Sequence, residues 1–259
     1  MVRSGTADGG GKPPKMTDET PADSHQVEIL EEREHYRFRQ LFWVQESRLR
    51  FRHFDGSWSP EVTRVTFCQK VAVAVLLVDA EADTVVLVRQ LRFPVLERQR
   101  HRGQPDGGAW LLEVPAGLQE AGESLEEVAR REILEETGYR VEQGLEEVMV
   151  FYPSPGVSSE EVHLFRAVVS PDQRVEDGGG VADEHEDLEV VILPVERAFE
   201  LLRRGEIRDG KTILALQHLA LERLDGARSM TESRASKETG ASEKTGVRED
   251  MSRVRRDES

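Results

Sequence analysis

The chain has 259 residues, one third of them charged, and a formal net charge of −15 at pH 7. This length suits one domain with appendages, and the acidic balance disfavours nucleic acid as a partner. The single cysteine, Cys68, excludes an internal disulfide framework and suits a reducing compartment. No signal-like segment opens the sequence, and the longest apolar run, residues 71–78, is too short to span a membrane. We therefore expect a cytoplasmic protein without a membrane partner.

Composition divides the chain into four parts. Residues 1–24 and 226–259 are rich in small and charged residues and have no apolar periodicity, which predicts two disordered tails. Residues 25–68 are predicted to form an N-terminal β-strand region. Within it, alternating residues on both sides of Asp55-Gly56 predict a hairpin. Residues 69–225 are predicted to form the main domain.

The main domain alternates strands and helices. Strands are predicted at 71–78, 84–90, 109–114, 146–152, 161–169 and 188–193, and helices at 195–204 and 211–223. Loops are predicted at 99–108 and 176–187, which are rich in glycine and charged residues. The pattern favours an α/β (α+β mixed) fold, a mixed sheet flanked by helices, preceded by N-terminal antiparallel strands.

A further helix is predicted between Ser124 and Gly138. Ser124 followed by Glu127 forms a capping-box pattern, and Gly138 is well placed to end the helix. Apolar residues at helical spacing within 125–129 predict the face that packs on the core.

This apolar stripe continues into acidic residues. By helical spacing it reaches Glu132 and Glu136, with Glu135 at its margin. Burying carboxylates without partners is costly, so a bound cation is the natural compensation. The alternative is a solvated acidic helix face, which the alignment of these glutamates with the apolar stripe disfavours.

The same segment fits a long pattern at every specified position. It has Gly117, five residues, Glu123, seven residues and then REILEETGY at 131–139. This resembles the Nudix box, the signature of hydrolases that cleave a nucleoside diphosphate linked to a further group. The resemblance implies the Nudix fold and an enzyme. A Nudix-fold binding protein without catalysis is disfavoured because every box position is intact.

Segments outside the box resemble two groups of Nudix enzymes. Residues 50–67, 85–94, 152–160 and 178–191 resemble ADP-ribose pyrophosphatases, with Pro155 near their marker proline, whereas GEIRDGKTILALQHL at 205–219 is closer to the GDP-mannose hydrolases. The first resemblance implies a small-molecule substrate, ADP-ribose, cleaved to AMP and ribose 5-phosphate. The alternative is another nucleotide sugar, GDP-mannose or UDP-glucose.

The ADP-ribose enzymes exchange N-terminal strands across a homodimer. The resemblance therefore implies that residues 37–68 form a dimerisation layer and that both subunits line the site. The alternative is an ordinary hairpin packed on its own sheet.

Carried over residue by residue, the resemblance implies a metal site. Its ligands are the carboxylates of Glu132, Glu135, Glu136 and Glu186 and the backbone carbonyl of Ala116. Glu136 is also expected to be catalytic, because its metal contact stabilises charge in the transition state. Oxygen ligands and a pyrophosphate substrate favour Mg²⁺, with Mn²⁺ as a substitute.

The resemblance also assigns residues outside the metal site. Glu184 would deprotonate the attacking water, Arg92 would meet the phosphates or terminal ribose, and Glu160 would bind ribose hydroxyls. Arg131 would be an orienting partner for the helix carboxylates, Glu123 above all, rather than a substrate contact, and the alternative is a plain surface arginine. The alternatives are a solvated acidic loop for Glu184 and surface ion pairs for Arg92 and Glu160.

Overall fold

The computed structural model describes residues 26–181 and 186–226. Both predicted disordered tails lie outside the described residues, except for position 226, and so does Glu184. The described chain divides into two compact units, the first ending at Cys68 and the second beginning at Gln69.

The first unit is a three-stranded sheet in the order β1-β2-β3. Its strands are β1 (Val27–Phe38), β2 (Phe42–Phe51) and β3 (Val62–Gln69). The predicted hairpin corresponds to β2 and β3. In the connecting turn, Gly56 has a φ of +85° and Asp55 Oδ1 accepts a hydrogen bond from the Ser57 amide over 2.8 Å. These are the local contacts that make an Asp-Gly pair favour a turn.

The second unit contains a seven-stranded mixed sheet. Its strands are β4 (Ala72–Asp79), β5 (Thr84–Leu91), β6 (Trp110–Glu113), β7 (Ala116–Leu118), β8 (Glu146–Phe151), β9 (Val162–Val168) and β10 (Glu189–Pro194). The main order is β10-β5-β4-β9-β8, with β6 paired to β5 and β7 to β4. The β4–β9 pair is parallel and the other recorded pairs are antiparallel. The mixed sheet predicted from the sequence is confirmed.

Helices cover both faces of this sheet. They are α1 (Phe93–His101), α2 (Leu125–Glu132), α3 (Val195–Arg203) and α4 (210–226). Every residue of β4 is buried, as expected for a central strand between two layers. One core cluster joins Leu76 and Leu87 to Leu216 of α4, and the other joins Val75 and Val86 to the α2 side.

Helix α1 corrects the predicted loop at 99–108, because residues 99–101 are helical. Pro94 in its first turn is compatible with a helix start. Only Leu96 and Gln99 of this helix are buried. A helix with so little buried surface needs no apolar stripe, and its sequence has none that would have predicted it. Among the helices of the described ranges, none is long and apolar enough to cross a membrane.

Candidate active site

Helix α2 begins with a complete capping box. The Ser124 hydroxyl accepts a hydrogen bond from the Glu127 amide, and the Glu127 carboxylate accepts one from the Ser124 amide over 2.7 Å. These bonds satisfy amides that have no partner within the helix, as the sequence predicts. The cap fixes where the helix starts and therefore which residues face the core.

The last turn is wider than an α-helix. Ile133–Thr137 form a π-helix, which ends at Gly138 in the left-handed conformation with a φ of +77°. Glu136 is only 2% exposed and Glu132 only 8%, whereas Glu135 is partly exposed. The structure thus buries the two glutamates that continue the apolar stripe. π-helical turns are rare and are frequently found at functional sites.

Gly117 allows the Glu132 carboxylate to approach the chain closely. A Cβ atom at position 117 would overlap the Glu132 side chain, and even Oε2 of Glu132 would lie only 2.7 Å from it. Gly117 lies in β7, beside Ala116, whose amide donates to Glu136 Oε2 over 3.2 Å. The glycine that opens the box pattern therefore leaves space for the Glu132 carboxylate. A side chain at position 117 would occupy that space.

Arg131 connects the carboxylates along this side of the helix. Its Nε donates to Glu123 Oε1 over 3.0 Å, and its Nη1 donates to Glu132 Oε1 over 2.6 Å and to Glu135 Oε2 over 3.2 Å. Its Nη2 also reaches the Leu118 carbonyl over 3.2 Å. The predicted orienting contact with Glu123 is present, and Arg131 fixes two of the proposed metal ligands at the same time.

The two buried glutamates have strongly perturbed pKa values. Burial raises the pKa of Glu132 to about 7, against the opposing effect of Arg131. Burial also raises the pKa of Glu136 well above its usual range, and repulsion from Glu132 and Glu186 adds to the increase. Carboxyls that resist ionisation in this way are stabilised by a bound cation.

The donors of this region fit a hard divalent cation in chemistry. They are carboxylate oxygens, those of Glu132 and Glu136 buried, and they are close enough to repel one another, with Arg131 in contact and Arg92 acting at longer range. As the side chains are placed, no group of three acidic, histidine or cysteine residues surrounds a common point within the described ranges. The carboxylates therefore lie near one another at the end of α2 without converging on one point.

A second charged cluster lies around Glu113. Arg92 donates to both oxygens of Glu113, from Nε over 2.8 Å and from Nη2 over 2.6 Å. Lys211 Nζ lies 3.3 Å from Glu113 Oε2 and 2.7 Å from Asp209 Oδ1. The Thr212 amide and hydroxyl both donate to Asp209 Oδ2. This arrangement alternates positive and negative groups, and Glu113 at its centre is 1% exposed.

A cleft of about 580 Å³ adjoins this second cluster, and the helix glutamates are not among its lining residues. Arg92 and Glu160, both predicted substrate contacts, line it together with Ala116. Its remaining lining residues are Ala72, Pro94, Val95, Leu111, Glu113, Gly117, Leu118, Arg208, Asp209, Gly210 and Lys211. Pro155 is not among them and lies in an exposed turn. The volume suits a compact small molecule and the charged lining suits an anionic one.

Sequence reasoning did not assign Glu113, Asp209 or Lys211 to the site. Asp209 and Lys211 belong to the GEIRDGKT segment, which indicated a group of enzymes but no individual site residue. Glu113 lies in an apolar strand, between Leu112 and Val114. Because a charged residue is rarely buried unless it is paired, a single carboxylate at this position could have predicted a buried ion pair. The Arg92 fork is occupied by Glu113, a buried partner rather than a surface one, and Arg92 also lines the cleft, so its contact with substrate stays a prediction.

Glu186 lies on an exposed segment that returns towards the helix. Its Oε2 accepts a hydrogen bond from the Val181 amide over 3.3 Å. Its negative charge contributes to the raised pKa values of Glu132 and Glu136. Glu184 lies outside the described residues.

Known proteins match the chain over this same region. The NUDIX domain family model matches residues 69–216. A GDP-mannose pyrophosphatase of Cronobacter sakazakii is 45% identical over 148 residues, which cover 57% of this chain and 72% of that protein. A protein of the same name from Escherichia coli O157:H7 is 42% identical over 150 residues, covering 58% and 73%.

A solved structure is similar in fold. The crystal structure of an ADP compounds hydrolase superposes with a TM-score of 0.58 at 23% identity and covers 78% of this chain and 96% of that chain. The family match spans more than half of the 259 residues and contains both buried helix glutamates. The chain therefore belongs to the NUDIX family and is a Nudix pyrophosphohydrolase.

Proposed function

We propose that the protein hydrolyses the pyrophosphate of a nucleotide sugar, with GDP-mannose preferred over ADP-ribose. The observation that carries this proposal is the composition of one cleft wall. Arg208, Asp209 and Lys211 line the cleft, and they come from the segment that resembles GDP-mannose hydrolases. The relatives that are named GDP-mannose pyrophosphatase support the same choice. The products would be GMP and mannose 1-phosphate.

ADP-ribose is the second candidate. It is favoured by the resemblance of residues 50–67 and 152–160 to ADP-ribose pyrophosphatases and by Glu160, which lines the cleft where ribose hydroxyls would be bound. The products from this substrate would be AMP and ribose 5-phosphate.

The residues proposed to hold the metal are Glu132, Glu135, Glu136 and Glu186 with the Ala116 carbonyl. We propose Mg²⁺ as the cation and Mn²⁺ as a substitute, because the donors are all oxygen. When bound, the cation would offset charge on the pyrophosphate oxygens and make an adjacent water more acidic.

The other residues bind and orient the substrate. Arg92 and Lys211 are cations on the cleft wall and suit the phosphate groups. Glu113 accepts hydrogen bonds from both of them, and Arg131 donates hydrogen bonds to Glu132 and Glu135. The side chains of both charged clusters are therefore oriented before the substrate binds. Glu184 is proposed to accept the proton of the attacking water, since a carboxylate on a loop can approach once the substrate is bound.

A substrate panel tests the proposal. Initial rates with GDP-mannose, ADP-ribose and UDP-glucose in Mg²⁺ are followed by phosphate release through a coupled phosphatase. The highest kcat/KM is expected for GDP-mannose, and a higher value for ADP-ribose would contradict that preference. Glu136→Gln, prepared identically, is the control for contaminating hydrolases.

We also propose that the enzyme is a homodimer in which residues 37–68 form the dimerisation layer. Deletion of residues 1–24 is then expected to leave activity unchanged, whereas deletion through Lys70 abolishes it. Sedimentation of a fully active monomer would contradict the shared site.

A further inference from the structure

A short glycine-containing segment closes the end of the acidic helix. We name residues 175–181 the glycine strap. The Val175 amide donates to the Gly138 carbonyl over 2.9 Å, the Gly179 amide to the Glu136 carbonyl over 2.9 Å, and the Gly180 amide to the Glu135 carbonyl over 3.0 Å. The last carbonyls of a helix have no partner within it, so the strap supplies partners for the turn that carries the glutamates.

Side chains are excluded from this contact. Gly178 has a φ of +69°, and a Cβ there would lie 2.5 Å from the Thr137 carbonyl carbon and 2.7 Å from the Glu136 carbonyl oxygen. Gly180 has a φ of +88°, and a Cβ there would lie 2.7 Å from Glu186 Cβ and 2.8 Å from Glu186 Oε2. The strap is therefore close to the helix through Gly178 and close to Glu186 through Gly180.

The strap also holds the segment that carries Glu186. The Leu188 amide donates to the Gly179 carbonyl over 3.1 Å, and the Val181 amide donates to Glu186 Oε2 over 3.3 Å. Gly179 thus bonds to Glu136 through its amide and to Leu188 through its carbonyl. One peptide segment connects the backbone of a buried helix glutamate to the backbone beside Glu186.

We propose that the glycine strap is a positioning element that sets the Glu186 carboxylate against Glu132 and Glu136, so that loop and helix bind a divalent cation as one preorganised site. Gly178 and Gly180 are its positioning residues. The inference rests on the metal role proposed for Glu186. Its physical basis is that a carboxylate held in place by backbone bonds avoids the conformational entropy cost of ordering a free loop when the cation binds.

The test compares glycine substitutions with a matched control. Gly178→Ala and Gly180→Ala are compared with Gly144→Ala, which has a similar φ of +81° but no atom within 4 Å of the added Cβ. Mn²⁺ binding to the metal-free protein is titrated by electron paramagnetic resonance, and Tm is measured alongside. The Kd for Mn²⁺ is expected to rise about tenfold or more in the strap variants, the size usual for groups that orient metal ligands, and less than twofold in Gly144→Ala. Equal Kd values in all three variants would overturn the inference.

Gly179→Ala provides a milder variant if the other two do not fold. Its added Cβ would meet only the Leu188 carbonyl oxygen, at 3.3 Å. Its Kd is expected to rise about threefold, and a Kd equal to that of Gly144→Ala would count against the strap.

A double-mutant cycle separates failure of the strap from failure of the metal site. With Glu186→Gln already present, Gly180→Ala is expected to change the Kd less than twofold, because the ligand that it positions has been replaced. A full tenfold effect in that background would show that the strap does not act through Glu186. If Glu186→Gln alone leaves the Kd unchanged, the proposed metal role of Glu186 is what fails.

Discussion

The domain has two charged clusters, one on α2 and one that lines the cleft, and they differ in how their charges are balanced. On the α2 side, Arg131 is the one guanidinium that contacts Glu123, Glu132 and Glu135, and Glu136 lies deeper. On the other side, Arg92 and Lys211 balance Glu113 and Asp209 in an alternating row.

The α2 cluster needs an external cation to balance its negative charge, whereas the charges of the other cluster balance one another. The helix side retains an excess of carboxylate, and burial raises the pKa values of Glu132 and Glu136 rather than stabilising their charges. In the balanced row the buried Glu113 has three hydrogen bonds from cations. Buried ion pairs of this kind fix geometry more than they add stability. The first cluster suits metal-assisted chemistry, and the second suits binding and orientation.

The largest expected effect is on the unbalanced side. Glu136→Gln keeps the size of the side chain but removes the charge, so we expect kcat to fall about 10²-fold or more while the fold is retained, since lost electrostatic stabilisation of a transition state costs this much. Activity at saturating Mg²⁺ and the circular dichroism spectrum are the measurements. Glu126→Gln on the exposed side of the same helix is the control, because Glu126 contacts only Arg130 among the partners seen. Equal kcat values for the two variants would refute the distinction.

The second prediction concerns pH in metal-free protein. The pKa of Glu132 is about 7 in the folded state against 4.5 as the ordinary value. Below pH 4.5 both states hold the proton. Between pH 4.5 and 7 the unfolded chain releases it first, so the contribution of Glu132 to the stability of the folded state falls as pH rises and is fully lost above pH 7. A difference of one in pKa is about 1.4 kcal/mol, so the decrease is on the order of 3 kcal/mol.

Urea denaturation in excess chelator measures this pH dependence. Glu132→Gln is expected to make the decrease between pH 4.5 and 7 shallower, because it removes one of two carboxyls with a raised pKa, and Glu136 accounts for the slope that remains. A wild-type slope in the variant would show that the decrease arises elsewhere. Added Mg²⁺ is expected to reverse the decrease near pH 7, because the cation stabilises the ionised carboxylates.

The balanced row predicts a loss of stability with a smaller effect on chemistry. Glu113→Gln removes the charge that joins Arg92 and Lys211, and we expect about 2 kcal/mol of destabilisation, the usual size for hydrogen bonds to charged groups. We also expect KM to rise more than kcat falls, because both cations are proposed to bind substrate. Denaturant titration and steady-state kinetics check the two parts. A selective loss of kcat would place Glu113 in the chemical step instead.

The same contrast explains how much could be predicted from the sequence. The helix carboxylates were predictable because their spacing continues an apolar stripe and because Ser124 and Gly138 mark the ends of the helix. The balanced row was not, because Arg92, Glu113 and Lys211 are far apart in the chain and meet only through β6 and the start of α4. Helix α1 was missed for a similar reason, since its burial is too sparse to create periodicity. Local patterns were therefore visible, and pairings between distant segments were not.

The smallest expected effect lies at the start of the helix that carries the unbalanced cluster. Ser124→Ala removes the hydroxyl that accepts from the Glu127 amide, so we expect about 1 kcal/mol of destabilisation, the typical cost of losing an N-cap. Because this cap is two turns away from Glu132, kcat and the Mn²⁺ Kd are expected to stay within twofold of wild type. Ser124→Asp keeps an acceptor at the cap and is expected to restore the stability. If Ser124→Ala weakens Mn²⁺ binding as strongly as Glu132→Gln does, the carboxylates depend on the whole helix, and the division between a structural start and a functional end is wrong.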